Sequence, residues 1–441
     1  MPAKREKVKI VLIGAASASF GPRTVIDVFA NKDLRKLDVD FTLVDLDEPN
    51  LAAVHAFARM VGEHTKSNIR LSYTTNRLEA LPGADYVITS VARRRNALWA
   101  LDFRIPLALG FRHILGENGG PGAAFHTLRS FELMVPIAKD IQRLAPRAYL
   151  LNFTNPESRV CLAVTTLTKV RCVGLCHGVM GSINKVAAVL GRKYEDLKVT
   201  VGGINHFHWL VKIEDAKTGE DLYPALRQRT AEKPDLFTPL VRKLWDVLGL
   251  LPFPVDNHIG EYLQFAHEFC GAKLHWGRAW DPVELAAKPG PPASALERLA
   301  PYLEGKTPVD EKLVRPSGEI SVPIICDIAL DRRRREPAVN VPNANGAVAN
   351  LPREAIVEVA ALVDRKGIHP EKVGPLPLAI AEFCRRQTAI QEILVEAYRT
   401  GSRKLLLQAL LLDPIVDSVA KAEQLIDDMI RLQGDFLPTL K

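Results

Sequence analysis

The sequence predicts an α/β protein: a Rossmann-like, doubly wound parallel sheet joined to a second, mainly helical α+β lobe. Short apolar runs of strand length alternate with helical stretches through roughly the first 175 residues, which is the pattern of βαβ units. The first of these runs ends in a turn of small residues that opens directly into a helix. Beyond Val201 the pattern changes to long helical stretches with few strands. The division this implies is a dinucleotide-binding domain over 1–200 and a substrate, metal and oligomerisation lobe over 201–441.

Val8 to Ile13 (VKIVLI) is a nearly continuous apolar run, short enough for a buried parallel strand. It leads into Gly14-Ala-Ala-Ser17-Ala-Ser-Phe20-Gly21 and then the helical pattern from Thr24 to Ala30. Ala16 stands where a dinucleotide fingerprint has its second glycine, so the motif is incomplete. The small residues from Ala15 to Ala18 still permit a phosphate to approach a helix N-terminus, whose free amides and dipole attract anions. Two readings stay open: a cofactor turn using Gly14, Ala16, Ser17 and Phe20, or a tight turn that binds nothing. A second run, Phe41 to Val44, ends in Asp45, about where such units place the acid that hydrogen-bonds a ribose. Tyr86 to Ser90, Tyr149 to Phe153 and Val173 to Leu175 continue the strands, with an amphipathic stretch from Phe125 to Leu144 between the first two. Further helices are expected at Ala355 to Arg365, Leu378 to Thr400 and Ala420 to Leu432, and the Pro-rich stretch Asp281 to Pro292 reads as a surface loop.

Composition removes several classes of function. The chain has 441 residues, 47% hydrophobic and 25% charged, which is ordinary for a soluble globular protein. No run of 18 apolar residues occurs, so no membrane association is expected. The opening MPAKREKVKI passes from charge directly into a strand without a secretory apolar region, and a cytoplasmic location is expected. Six dispersed cysteines without a CxxC read as reduced thiols. The net charge of +7 is spread along the chain, and its densest run, Asp331 to Glu336, is flanked by acids and reads as a solvated loop or interface edge. Nucleic acid is therefore not an expected partner.

Five segments carry side chains suited to chemistry. Gly116-Glu-Asn-Gly-Gly-Pro-Gly122 has four glycines in seven residues, which places Glu117 and Asn118 on a loop near a ligand or merely makes a turn before a helix whose His126 and Arg129 are solvated. Asn152-Phe-Thr-Asn155-Pro156 ends a strand, where open α/β sheets bind ligands, and Asn155 is equally suited to cap the next helix. Cys176-His177 follows another strand, and Asn205-His206-Phe-His208 lies one supersecondary unit later. A thiolate and an imidazole there converge on a metal, or are a small buried hydrophobe and core histidines. Asp256-Asn-His258-Ile-Gly-Glu261-Tyr262 gathers acid, base and metal-binding groups, or forms a polar helix start with Asp256 as cap and Glu261 solvated.

Taken in order, GAASASF, ADYVITS (84–90), GENGGPG, NFTNP, the Cys176-His177 dipeptide, GINHFHW, VNVPNANGAVANLP (339–352), GIHPEKVGPLP (367–377) and ILVEAYRTGSRKLLLQALLLDP resemble glycoside hydrolase family 4 over nearly the whole chain. That resemblance implies NAD- and divalent-metal-dependent cleavage, an exception to the two-carboxylate glycosidase mechanism. NAD+ removes hydride from C3 of the sugar, the ketone acidifies the C2 proton, a base removes it as the aglycone leaves C1, water adds, and NADH reduces C3 again. It further implies Cys176 and His206 as ligands of Mn2+ or another divalent ion, Asn152 and Asn155 as contacts of sugar hydroxyls, Asp45 as ribose ligand and Glu117 as an acid near the leaving group. As base it implies Asp256 or Tyr262, with Asp256 preferred. Cys176-His177-Gly178-Val179 resembles the α-glucuronidase pattern, with His177 toward the substrate, and Arg93, Arg94 or Arg95 would pair with a uronate carboxylate unless they form a solvated turn. Among these Arg95 is the preferred substrate contact. The reading is an α-glycosidase for a small α-glucuronide, assembled as a homodimer or homotetramer. α-Galacturonidase, α-glucosidase and α-galactosidase are close rivals, and an NAD-dependent sugar or hydroxyacid dehydrogenase is the alternative.

Overall fold

The computed structural model describes residues 6–272 and 294–441; the Pro-rich stretch read as a surface loop lies outside them. The first half runs β1 (Lys7–Ile13), α1 (Phe20–Ala30), β2 (Asp38–Val44), α2 (Glu48–His64), β3 (Arg70–Thr74), α3 (Arg77–Ala80), β4 (Tyr86–Thr89), α4 (Arg95–Ala108), α5 (Pro121–Leu144), β5 (Tyr149–Asn152), α6 (Glu157–Leu167), β6 (Arg171–Gly174) and α7 (Gly178–Leu190). Its strands pair in parallel in the order β3-β2-β1-β4-β5-β6, so the chain reverses direction across the sheet between β1 and β4. A crevice opens at such a reversal, beyond the carboxyl ends of the strands.

A separate antiparallel sheet follows, built from β7 (Leu197–Ile204), β8 (Phe207–Asp215) and β9 (Leu251–Pro252). Around it lie α8 (Tyr223–Glu232), α9 (Pro239–Leu248) and α10 (Asp256–Gly260), then α11 (Ala295–Leu303) and α12 (Ser321–Leu330). The chain next returns to the main sheet: β10 (Arg334–Pro342), β11 (Ile356–Asp364) and β12 (Gly367–Pro370) add antiparallel strands outside β6 and bring it to nine. Helices α13 (Leu378–Thr400), α14 (Arg403–Leu412) and α15 (Val419–Gln433) close the fold. Among the described residues no helix is long and apolar enough to cross a membrane.

Alternate residues of β1 feed two cores on opposite faces of the sheet. Val8, Ile10 and Leu12 join the core that includes α1, α2, α7 and the small sheet, while Val11 and Ile13 join the one that includes α5, α6 and the last three helices. This double burial explains why the inner strands read as continuous apolar runs.

Two expectations need correction. Residues 355–365 are not helical, because Ile356–Asp364 is strand β11, held between β10 and β12 and buried over six consecutive positions. A run buried on both faces shows no alternation, and its β-branched Ile356, Val357, Val359 and Val363 favour the extended chain. The basic run Asp331 to Glu336 is only partly a solvated loop, because it enters β10 at Arg334: Arg332 pairs with Asp33 and Asp327 and Arg335 forks onto Glu371 at 2.8 and 3.0 Å, while Arg333 and Arg334 stay exposed.

One buried ion pair ties the last helix to the first half. Arg129 of α5 forks onto Asp102 of α4, one arm at 2.8 Å, and Gln433 at the end of α15 donates to the same carboxylate at 3.1 Å. Arg129 is thus buried and paired, not solvated. Removing one member of a buried pair strands the other charge. Asp102→Ala should therefore lower unfolding free energy by about 3–5 kcal/mol, read from urea denaturation, and a loss below about 1 kcal/mol would refute the account.

Candidate active site

At the switch point the small-residue turn has little freedom. Gly14 has φ of +94°, and a Cβ there would lie 2.1 Å from the Ser90 carbonyl oxygen, so only glycine fits between β1 and β4. The Ala16 amide donates to Asp45 Oδ2 at 2.9 Å, and the Asp47 amide donates to Oδ1 at 3.2 Å. Ser17 Oγ accepts from the Gly21 amide at 2.8 Å, and the Phe20 ring lies 4.7 Å from that of Phe153. Ser19, at the start of α1, supplies no side-chain cap. Gly14, Ala16, Ser17, Phe20 and Asp45 are therefore gathered around a close-approach turn leading into a helix, an arrangement that fits a dinucleotide.

Farther along the same edge, Cys176 follows β6 and His206 sits in the two-residue turn between β7 and β8. The Sγ of Cys176 lies 3.1 Å from Nε2 of His206 and accepts from the Gly178 amide at 3.3 Å, at the start of α7. Burial, with the Glu358 charge, pushes the free thiol up to about 11. Among the described residues no group of three or more histidine, cysteine or acidic side chains is arranged to hold a metal. The pair thus offers one sulfur and one nitrogen donor, which fits a divalent ion whose other positions are left for water or a chelating ligand. The His258 ring, from α10, is 5.1 Å from that of His206.

Glu261 joins the glycine-rich loop to this cluster. One of its oxygens accepts from the amides of Glu117, Asn118 and Gly119 at 2.7, 2.6 and 3.1 Å, so the carboxylate that a polar helix start would leave in solvent is fully buried. Gly119 has no room for a side chain, since a Cβ would stand 2.6 Å from the Glu261 carbonyl oxygen. Glu117 is fixed in turn by Arg95 at 2.9 Å and by the Asn155 amide at 3.3 Å. Burial works against the Glu117 carboxylate, but Arg95, with His258, His126 and His206, outweighs it and holds the group at about 2. The Arg95 and Asn155 contacts favour the ionised form of Glu117, which speaks for an anchor of those two side chains over the expected proton donor.

The remaining expected residues divide. Tyr262 is brought to the pair: its buried hydroxyl accepts from the His206 amide at 3.1 Å and lies 3.4 Å from the Asn205 carbonyl, and burial pushes it well above its ordinary range. Asp256 is not, because its carboxylate caps α9, accepting from Thr238 Oγ1 at 2.5 Å and from the Leu240 and Val241 amides at 3.3 and 3.0 Å. The preference for Asp256 over Tyr262 is thereby reversed. Asn152 is also withdrawn from ligands, since it is fully buried with its amide satisfied by Thr89 and Thr154 at 3.1 Å. Asn155 leaves the cap of α6 to Pro156 and turns its side chain toward Glu117. His177, exposed at the start of α7, stands 3.2 Å from Glu319, whose hydrogen bond raises it to about 9. Arg95 stacks over Trp99 while holding Glu117.

Sequence reasoning missed Glu358 of β11, fully buried, 2.7 Å from His208 Nδ1 and accepting from Asn205 Nδ2 at 3.1 Å. A lone acid inside the apolar run Ile356 to Val363 was the available signal, because a charge in a core requires partners.

Two sequence models match the chain, family 4 glycosyl hydrolase over residues 9–192 and the family 4 glycosyl hydrolase C-terminal domain over residues 201–416. An α-glucosidase of Erwinia rhapontici is 31% identical, the match covering 98% of this chain and 99% of that protein. An α-galacturonidase of Bacillus subtilis is 28% identical over 97% of each. Among solved structures, a 6-phospho-α-glucosidase from gut microorganisms, in complex with NAD and Mn2+, superimposes with a TM-score of 0.82 over 99% of this chain and 100% of that one, at 22% identity.

The Glu117 environment has a measurable sign. A carboxyl lowered from 4.5 to about 2 on folding adds stability above pH 4.5, and that contribution is lost as pH falls toward 2. Arg95→Ala removes the main opposing charge and should cost about 1–2 kcal/mol at pH 7, allowing for the half-exposed guanidinium. The gap to the unmodified protein should close as denaturation is repeated toward pH 2; a constant gap would contradict the assignment.

Proposed function

The chain belongs to glycosyl hydrolase family 4, and from that premise we propose that it is an NAD- and divalent-metal-dependent glycosidase for α-linked substrates, with α-glucuronides preferred. One observation carries the proposal. The Cys176–His206 pair stands at the carboxyl edge of a dinucleotide-type sheet with the Tyr262 hydroxyl against the His206 amide. The α-linked specificity is supported by relatives named α-glucosidase and α-galacturonidase, and the cofactors by the 6-phospho-α-glucosidase crystallised with NAD and Mn2+.

When bound, NAD+ supplies a hydride acceptor for sugar C3, and the metal supplies a Lewis acid for the C2 and C3 oxygens. The chain provides the rest. The turn from Gly14 to Ser17 and the start of α1 bind phosphate, and Asp45 bonds the ribose. Cys176 and His206 would hold the metal, and Tyr262, whose Oη stands against the His206 amide, is the nearer of the two candidate bases for the sugar C2 proton. Ionised Glu117 keeps Arg95 and Asn155 at fixed positions on the site's rim, where Asn155 is available to a hydroxyl.

Uronide selectivity rests on two features. His177 and Gly178 follow the metal cysteine in the pattern noted above, and a relative is named α-galacturonidase. Of the three arginines after β4, Arg95 holds Glu117 and Arg94 lies over the Phe436 ring, while Arg93 forms no ion pair among the described residues and lines a cleft with Arg95 and His126. Arg93 is thus the guanidinium left for a carboxylate.

The test is a panel of aryl α-glycosides, including the glucuronide, galacturonide and glucoside, assayed with NAD+, Mn2+ and a reducing thiol. Turnover should proceed without net NADH, and product formed in D2O should carry deuterium at C2; product lacking it would overturn the redox route. Tyr262→Phe should lower kcat by about 100-fold or more. For Arg93→Ala, the ratio of kcat/KM for glucuronide over glucoside should fall by about 10- to 100-fold. Equal hydrolysis of both by the unmodified enzyme would end the uronide reading while leaving the metal and cofactor assignments intact.

A further inference from the structure

His206 lacks the support that usually aims a metal-binding imidazole. Such rings commonly donate their second nitrogen to a carboxylate or carbonyl. Here Nδ1 of His206 is buried and has no hydrogen-bond partner among the described residues. With that nitrogen unpaired, the ring's direction depends on the rings packed against it, Phe253 at 6.0 Å and His258 at 5.1 Å, and on the backbone that carries it, the turn Asn205-His206 between β7 and β8.

That turn is gripped on both sides by a single carboxylate. Glu358 accepts from Asn205 Nδ2 at 3.1 Å through one oxygen and stands 2.7 Å from His208 Nδ1 through the other. Asn340, beside it on β10, adds a longer bond at 3.5 Å. Glu358 and His208 are fully buried and Asn205 is 2% exposed. The network also reaches the cysteine: His208 Nε2 lies 3.4 Å from Ser182 Oγ, Ser182 donates to the Gly178 carbonyl at 2.9 Å, and the Gly178 amide holds Cys176 Sγ. One carboxylate is thus linked to the elements that present both members of the pair.

We propose that Glu358 is a positioning residue for the metal pair, clamping Asn205 and His208 so that His206 is aimed at Cys176, and that it thereby sets the affinity for a divalent ion. The inference rests on the reading of Cys176 and His206 as metal ligands. A purely structural role would lower stability and leave the folded protein's metal affinity unchanged, whereas a positioning role alters that affinity directly.

The experiment measures Mn2+ binding to the full chain by the loss of the free-ion electron paramagnetic resonance signal, Co2+ binding by its thiolate absorption band, NAD+ affinity and thermal unfolding. Glu358→Gln should fold, weaken Mn2+ binding by about 10- to 100-fold, reduce the cobalt–thiolate band and leave NAD+ affinity within about two-fold. Cys176→Ala is measured alongside. If it binds Mn2+ as well as the unmodified protein, the metal-site reading fails and the clamp with it. If it loses binding while folded Glu358→Gln keeps its affinity within about two-fold, the clamp alone is overturned. Should Glu358→Gln not fold, Asn205→Ala and His208→Gln each remove one arm of the clamp; weaker Mn2+ binding in both supports it, and unchanged affinity in either overturns it.

Discussion

Glu261 has no contact with solvent, and a carboxylate so placed costs several kcal/mol unless hydrogen-bond donors surround it. The donors come from three consecutive amides of the glycine-rich loop, which are free because the loop has no regular structure at that point. Such an arrangement is a backbone nest, with the protein's own carboxylate as its anion. Gly116 and Gly120, at φ of +71° and +80°, give the chain the bends that aim those amides together. The residues on either side of the contact are thereby placed: Glu117 with its grip on Arg95 and Asn155 on one side, His258 and Tyr262 beside His206 on the other. One carboxylate oxygen, hydrogen-bonded to backbone amides more than 140 residues away in sequence, ties the two walls of the site together.

The second constraint is the continuity of the large sheet. The parallel order from β3 to β6 supplies the small-residue turn after β1 and the loop bearing Cys176, and a smaller sheet supplies His206. β10 and β11 then return to pack beside β6, carrying Asn340 and Glu358 into the core behind that pair. Neither half holds the cluster alone, because Cys176 follows a strand of the large sheet, His206 lies in a turn of the small one, and Glu358 comes from the late strand β11. Val339 and Val341 of β10 and Val357, Val359 and Val363 of β11 accordingly share one core with Ile10 and Leu12 of β1 and Phe41 and Leu43 of β2.

Elements with strong local signals were legible. Val8 to Ile13, Phe41 to Val44 and the helix from Leu378 to Thr400 form as their runs indicate, within a few residues. Strand β3 escaped notice because its residues are mostly polar or exposed at the sheet's edge, and Ile356 to Asp364 was misassigned because burial on both faces erases periodicity. In the site, residue type located the chemistry and partners decided the roles. Cys176, His206 and Tyr262 converge, but nothing in the sequence tells that Asp256 spends its oxygens on α9 or that Asn152 is satisfied by Thr89 and Thr154. Glu261 was opaque for the same reason, since a carboxylate's burial is set by donors distant in the chain, and Glu358 showed only as a lone acid in an apolar run, with its partners Asn205 and His208 out of view.

The late arrival of β10 has a consequence for biosynthesis. Strand β6 ends at Gly174 and β10 begins at Arg334, so 334 minus 174, or 160 residues, are made before the outer edge of β6 finds its neighbour. At synthesis rates of about 5–20 residues per second, that edge stands open for roughly 8–30 s on every ribosome. Unpaired strand edges are templates for another chain, and on a polysome the nearest other chain is an identical nascent copy. The shortness of β6, four residues, limits what such a copy can grip. Rare codons between those points would lengthen the exposure, so the yield of folded protein becomes a function of how fast that stretch of message is read.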